Sequence, residues 1–190
     1  MDEEYYSYIR KFFRRLASIY AIADLFVFWM RDKVVDFTDA RSGSRVLDMA
    51  TGTGKQAFAF AKRSYNVVGL DLSKDMLRLA NNNNKYENAK FAVADATNMP
   101  FDKVSFDVSC ASFALHDMPF VVREKVLNEM VRVTDPQGII VIVDYGLLET
   151  RILRRVFYHF VRLYESKYCQ GFIKRGLNAL LKKSGIEIKG

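Results

Sequence analysis

Along the 190 residues the spacing of apolar positions changes at about residue 40. From Tyr5 to Phe37, Tyr, Phe, Leu, Ile, Val and Trp recur at helical intervals among Arg, Lys and Asp, with neither proline nor glycine. That spacing predicts two helices. From Arg45 onward, short apolar or β-branched runs alternate with longer helical stretches, which is the pattern of βαβ units around a parallel sheet. The strands predicted are "RVLDM" (45–49), "NVVGL" (66–70), "AKFAVA" (89–94), a fourth over 106–111 and "IIVIVD" (139–144). The last is apolar on both faces, as a central parallel strand should be.

Between them lie a glycine turn leading into a helix over 54–63, and a helix starting at Ser73, a good N-cap. That helix presents Leu72, Met76, Leu77 and Leu79 as an apolar face before four asparagines end it. A further helix opens at Pro119, with Asp117 just ahead of it as a helix-capping acid. "DPQG" (135–138) reads as a turn by composition. Residues 150–184 read as one or two basic amphipathic helices, and "GIEIK" as the start of a sixth strand. No repeat or linker divides the chain, so one domain is expected: a helical lid over 1–40, a core over 41–149 and a basic segment over 150–190.

Composition adds little to the fold but narrows the setting. Half the residues are apolar, enough for one sizeable core. The two cysteines, Cys110 and Cys169, lack the CxxC spacing of a metal or redox site, so no metal is expected and a reducing cytoplasm is. Cys110 falls in an apolar strand and reads as core. The acidic start "MDEEYYSYIRKFF" lacks the basic region of a signal peptide. The stretch from Ala17 to Met30 is interrupted by Asp24 and is shorter than the ~20 residues that span a bilayer. A net charge of +7 resides in residues 149–190, the remainder being balanced. Such a segment suits a solvated helix face, or an anionic substrate, a nucleic acid or a peripheral membrane surface.

The chemistry concentrates in "VLDMATGTGKQAFAF" (46–60). A phosphate-binding P-loop needs GxxxxGK[ST], but Met49 stands at the first glycine position and Gln56 at the Ser/Thr position. "GTGKQA" does match the dinucleotide pattern GxGxxG/A. Asp48, four positions before Gly52, argues against a pyrophosphate, which it would repel, and for a ligand carrying an ammonium and a sulfonium.

The resulting D-x-x-x-G-x-G resembles the first motif of the class I S-adenosylmethionine (SAM) dependent methyltransferases. The likeness continues through "VVGLDLS", "VADATNMPF" and "SFDVSCASFALHDM". It implies a Rossmann-like α/β fold, a doubly wound and mostly parallel sheet of seven strands in order 3-2-1-4-5-7-6. By that likeness the C-terminal strands are truncated: either the chain is a fragment, or the exposed edge would be covered by a helix of 150–184 or by a second copy in a homodimer. The resemblance also implies a cofactor site. Asp71 would bind the ribose hydroxyls, Leu72 would cover the adenine, Asp95 and the Ala96 amide would take the adenine edge, and Asp48, Ala50, Gly52, Gly54 and Ala111 would complete it. "LDMATGTG", "MPF" and "FALHDM" after aromatic N-terminal helices resemble most the methyltransferases of ubiquinone and menaquinone biosynthesis.

Methyl transfer from a sulfonium is an in-line displacement, and a base is needed only where the acceptor must lose a proton. His116, just past the fourth strand, is the candidate base, and Tyr145, after the fifth, is a candidate for the acceptor pocket. His159 is assigned no role. The aromatic residues Tyr5, Tyr6, Tyr8, Phe12, Phe13, Tyr20, Phe26, Phe28 and Trp29 are expected either as a lid suited to a flat or lipophilic acceptor or as plain core. The expected activity is methylation of a small lipophilic or quinone-like molecule. The alternatives are RNA methylation, against which stands "SFAL" in place of an "NPPY" motif, and a SAM-binding but inactive partner subunit.

Overall fold

A computed structural model describes residues 2–16, 28–144, 168–169, 172 and 177–187. In chain order its elements are α1 (Asp2–Leu16), α2 (Phe28–Thr38), β1 (Arg45–Met49), α3 (Lys55–Lys62), β2 (Asn66–Asp71), α4 (Lys74–Asn83), β3 (Ala89–Val93), β4 (Phe106–Ser112), a 3₁₀ turn (Leu115–Asp117), α5 (Phe120–Val133), β5 (Thr134–Val143) and α6 (Asn178–Lys183). The strands form one sheet in the order β3-β2-β1-β4-β5, every pair parallel. This is the Rossmann-like arrangement expected. The residues adjoining the turn after β1 are level with the ends of β2 and β4, since Met49 pairs with both Leu70 and Ala111. Ligands of open α/β sheets bind beyond these carboxyl ends, where the strand order reverses.

Local chemistry explains why the elements begin and end where they do. Ser73 caps α4, its hydroxyl accepting from the Met76 amide at 3.3 Å. Met76, Leu77 and Ala80 are the buried face of that helix. Val46, Leu47 and Met49 are buried completely because helices cover both faces of β1. Burying each such side chain stabilises the fold by about 1.5–3 kcal/mol. Phe60 of α3 is likewise fully buried and meets Tyr65 edge-to-face.

Four expectations need correction. "DPQG" is not a separate turn before the fifth strand, because β5 already starts at Thr134. Thr134 pairs with Phe106 and Ile139 with Val108, so β5 spends more residues than β4 across a bulge. The turn chemistry survives inside it, the Gln137 amide donating to the Asp135 carboxylate at 2.7 Å. Glycine is required at 138, where a Cβ would lie 2.4 Å from the Asp107 carbonyl oxygen. Second, β5 is the edge of the described sheet, as the expected truncation implies, although its two apolar faces read as those of a central strand. An apolar groove of about 400 Å³ runs beside it, lined by Met30, Val34, Phe37, Ile140, Ile142 and Ile186 among others. Third, Gly185–Glu187 do not pair with β5. They close the end of α6, the Ile186 amide donating to the Leu181 carbonyl at 3.0 Å, and 188–190 lie outside the described residues. Fourth, Asp117 does not cap α5, whose N-cap is Pro119 with no side-chain bond. It is buried in the 3₁₀ turn instead.

Candidate functional site

The chain leaves β1 by a tight turn. Ala50, Gly52 and Gly54 all have positive φ (55°, 55° and 80°), a conformation that only glycine adopts without cost. The two glycines serve different purposes. A Cβ on Gly54 would press the Phe91 ring at 2.8 Å, so this residue lets α3 pack close on the sheet. A Cβ on Gly52 would meet nothing within 4 Å, which means the bare backbone there faces open space.

Asp48 lies beneath the turn and is 1% exposed. The Thr51 hydroxyl donates to it at 2.5 Å. Burial pushes its pKa up to about 7, against the pull of Thr51, the Ala57 backbone and Arg31. The Cys110 thiol on the neighbouring strand is pushed up too, by burial first and then by Asp48, which makes it an inert core residue.

Asp71 ends β2 and braces the turn. The Gly52 amide donates to its Oδ2 and the Ser73 amide to its Oδ1, both at 2.8 Å. Burial raises its pKa, and these backbone bonds oppose the rise. Asp95, after β3, accepts from the amide and hydroxyl of Thr97, each at 2.8 Å and each on Oδ1. Leu72 and Ala96 are half-buried beside these acids, and Ala111 is buried at the end of β4. Gly52, Asp71 and Asp95 therefore converge at the carboxyl ends of β1, β2 and β3.

A second cluster forms beyond β4 and β5. The chain bends at Phe113 (φ 51°), whose amide donates to the Val143 carbonyl at 2.7 Å, and enters the 3₁₀ turn. Asp144, immediately after β5, organises that turn. Its Oδ2 accepts from the Leu115 and His116 amides at 3.0 and 3.2 Å, and its Oδ1 faces His116 Nδ1 at 2.7 Å. His116 Nε2 lies 3.4 Å from Asp117 Oδ2. The His116 side chain is 1% exposed, so in this conformation it is enclosed. Arg123 of α5 donates to the Leu115 carbonyl at 2.8 Å and stacks over Phe172.

Helix α1 ties the clusters together. Tyr5 is buried with Leu115, Met118 and Phe172. Its hydroxyl is held protonated far above its ordinary value, by burial first and then by the Asp117 carboxylate, with Asp95 contributing. The Tyr6 hydroxyl meets Thr97 Oγ1 at 3.3 Å. Tyr5, Tyr6, Tyr8 and Phe12 pack mainly on one another and on Tyr168. Of the other lid aromatics, Tyr20 and Phe26 lie outside the described residues, as do Tyr145 and His159. Asp144 is the residue that sequence reasoning missed, although its place directly after an apolar strand was a signal.

The sheet, with its glycine turn after β1 and acids after β2 and β3, has the Rossmann-like fold of the class I methyltransferases, and residues 46–138 match the family described as a methyltransferase domain. The chain is also similar to methyltransferases named for quinone biosynthesis. It is 40% identical over 113 residues to the demethylmenaquinone methyltransferase of Paenarthrobacter aurescens, covering 60% of this chain and 43% of that one. It is 37% identical over 120 residues to the ubiquinone/menaquinone biosynthesis C-methyltransferase UbiE of Bdellovibrio bacteriovorus, covering 61% and 50%. The chain thus spans about half the length of these curated relatives. Among solved structures, a Bacillus halodurans protein of the methyltransferase class superposes with a TM-score of 0.68 at 26% identity, over 84% of this chain and 70% of that one. Among the described residues, no helix is long and apolar enough to cross a membrane.

Proposed function

We propose that this chain is a SAM-dependent methyltransferase acting on a small, lipophilic, quinone-like acceptor. The observation that carries the reading is Asp71, whose carboxylate is fixed at the end of β2 by the backbone N–H groups of Ser73, Gly52 and Leu72, beside a Gly52 backbone open to a ligand. In this reading Asp71 binds the ribose and Leu72 covers one adenine face. Asp95 Oδ2 accepts from the adenine amino group, and the Ala96 amide donates to a ring nitrogen. Asp48, Ala50, Gly52 and Gly54 shape the turn for the amino-acid tail, with Ala111 as its floor. The bound cofactor supplies an electrophilic methyl group.

The chain's own work is to hold the acceptor atom about 3 Å from that methyl and to exclude water. Helix α1 closes over both clusters, and its aromatic surface suits a flat acceptor. His116 takes the acceptor's proton where one must leave, Asp144 fixing the tautomer by holding Nδ1, and Tyr145 lines the pocket. The names of the relatives point to a quinone-like acceptor.

Incubating the full chain with SAM and a demethylated naphthoquinol, then weighing the products, tests this. A gain of one methyl group on the quinol is expected. Methyl transfer to RNA instead, or binding of SAM without turnover on any acceptor, overturns the proposed substrate.

A further inference from the structure

We propose that Asp117 and His116 hold one proton between them and act as a single acid–base unit, in which Asp117 is the group that receives the acceptor's proton. The inference rests on the methyltransferase reading above and deepens it by naming a residue beyond His116.

The His116 ring stands between two carboxylates. Asp144 Oδ1 faces Nδ1 at 2.7 Å, and Asp117 Oδ2 lies 3.4 Å from Nε2. Both contacts are closed to solvent, the imidazole side chain being 1% exposed and each carboxylate side chain 4%. In such a site a bare Nε2 would aim its lone pair at a carboxylate oxygen with little solvent to screen the two. A proton between them removes that repulsion, whether it sits on the nitrogen or on the oxygen. It therefore belongs to the pair.

The two acids do different work. Asp144 fixes the ring and the turn, its Oδ2 gathering the Leu115 and His116 amides while its Oδ1 holds Nδ1. Asp117 lies on the flank that α1 joins to the β1–β3 side. Tyr5 of α1 is buried in one cluster with Leu115 and Met118, the residues on either side of His116 and Asp117. Its ring is 5.2 Å from that of Tyr6, whose hydroxyl meets Thr97 Oγ1 at 3.3 Å, and Thr97 in turn donates to Asp95 at 2.8 Å. Burial keeps the Tyr5 hydroxyl protonated, and Asp117 and Asp95 both add to this. Arg123 of α5, the cation against this turn among the described residues, donates to the Leu115 carbonyl and stacks over Phe172, while Tyr168 and Cys169 complete the titratable groups of the cluster.

Before reaction the unit carries the shared proton and the one on Nδ1, with Asp144 ionised. When the acceptor's O–H bond breaks, its electron pair stays on the acceptor oxygen and its proton joins Asp117, as the shared proton settles on Nε2. The unit then holds an imidazolium between a neutral Asp117 and an ionised Asp144. Water takes the extra proton after the product leaves.

Imidazole signals in 15N-edited NMR spectra of the full chain, followed against pH, test the pair, with His159→Gln removing the one other histidine. At pH 7 both His116 nitrogens should carry protons. In Asp117→Asn the Nε2 proton should be lost at a pH lower by about 1–3 units, the usual effect of an opposite charge at this range. Turnover tests the catalytic role. Asp117→Asn should lower kcat about 100-fold or more and leave S-adenosylhomocysteine affinity within about twofold, which also reports that the variant is folded. Asp117→Glu, which keeps the carboxylate, should recover part of the loss.

A bare Nε2 at pH 7 in the unaltered protein overturns the inference, as does an unchanged pH of proton loss in Asp117→Asn. So does a kcat that is unaffected in that variant, or one that falls together with cofactor affinity, which marks a merely structural acid. If the chain binds S-adenosylhomocysteine but methylates no quinol, the substrate reading fails and the catalytic role of Asp117 with it, while the NMR result still decides the shared proton.

Discussion

On the β1–β3 side of the cleft, carboxylates are held by the backbone of their own loops. Asp95 is fixed by Thr97 two residues on, and Asp71 by Ser73 and by Gly52 across one strand. On the β4–β5 side, Asp144 reaches back 28 and 29 residues to gather the amides of His116 and Leu115 and the imidazole, and Asp117 approaches that ring from its other nitrogen. The first arrangement positions acceptors for hydroxyl and amino groups. The second encloses a titratable ring under α1, where it can hold or move a proton. Under the proposed function the first is the cofactor half, built by short loops, and the second the acceptor half, assembled by tertiary packing.

If the halves are separable, substitutions in one should spare the other. The largest expected effect is His116→Ala. Turnover should fall about 100- to 10,000-fold, the usual worth of a positioned acid–base group, while calorimetric affinity for S-adenosylhomocysteine stays within about twofold. An equal loss of cofactor affinity would show that the halves are coupled through the 3₁₀ turn. Next comes Asp71→Ala, which should weaken S-adenosylhomocysteine by at least about 100-fold, since each charge-assisted bond is worth about 1.5–3 kcal/mol.

Asp48 offers a smaller, pH-dependent test. Its folded pKa of about 7 lies above the ordinary 3.8, so the folded chain binds this proton more tightly than the unfolded one. The stability it contributes is full below pH 4 and lost as pH rises through 7, by up to roughly 4 kcal/mol over that window. Asp48→Asn has no such titration. Urea unfolding at pH 5 and pH 8 should therefore show the wild type losing stability between the two and the variant losing less. Equal losses would mean that Asp48 is not the buried group responsible. The smallest effect is expected from Gly138→Ala, at the opposite end of the sheet. Crowding the Asp107 carbonyl should cost about 1–3 kcal/mol in unfolding free energy and leave ligand affinity untouched.

The same contrast explains what was legible in the sequence. The local structure on the β1–β3 side was, because a turn, a cap and an acid at a strand end are local. Residues 45–49 form a strand as expected, and Ser73 caps its helix. The β4–β5 side was only partly so. His116 stood out as a titratable residue in a loop, but nothing local pairs it with Asp144, and Asp117 beside Pro119 looked like a cap until packing drew it into the 3₁₀ turn. "DPQG" misled for a related reason. Its turn chemistry is real, yet a bulge absorbs it because β4 and β5 pair on both sides. Whether an apolar strand sits in the middle of a sheet or at its edge depends on partners elsewhere in the chain, so the apolar pattern of β5 alone reads as central, while the family likeness with its truncated strands pointed to an edge.

The most direct test of the cofactor half is a crystal structure of the full chain with S-adenosylhomocysteine. The ribose hydroxyls should sit on Asp71, the adenine amino group on Asp95 and the tail over Gly52. A ligand bound with its ribose away from Asp71, or in the groove beside β5, would contradict the proposed site.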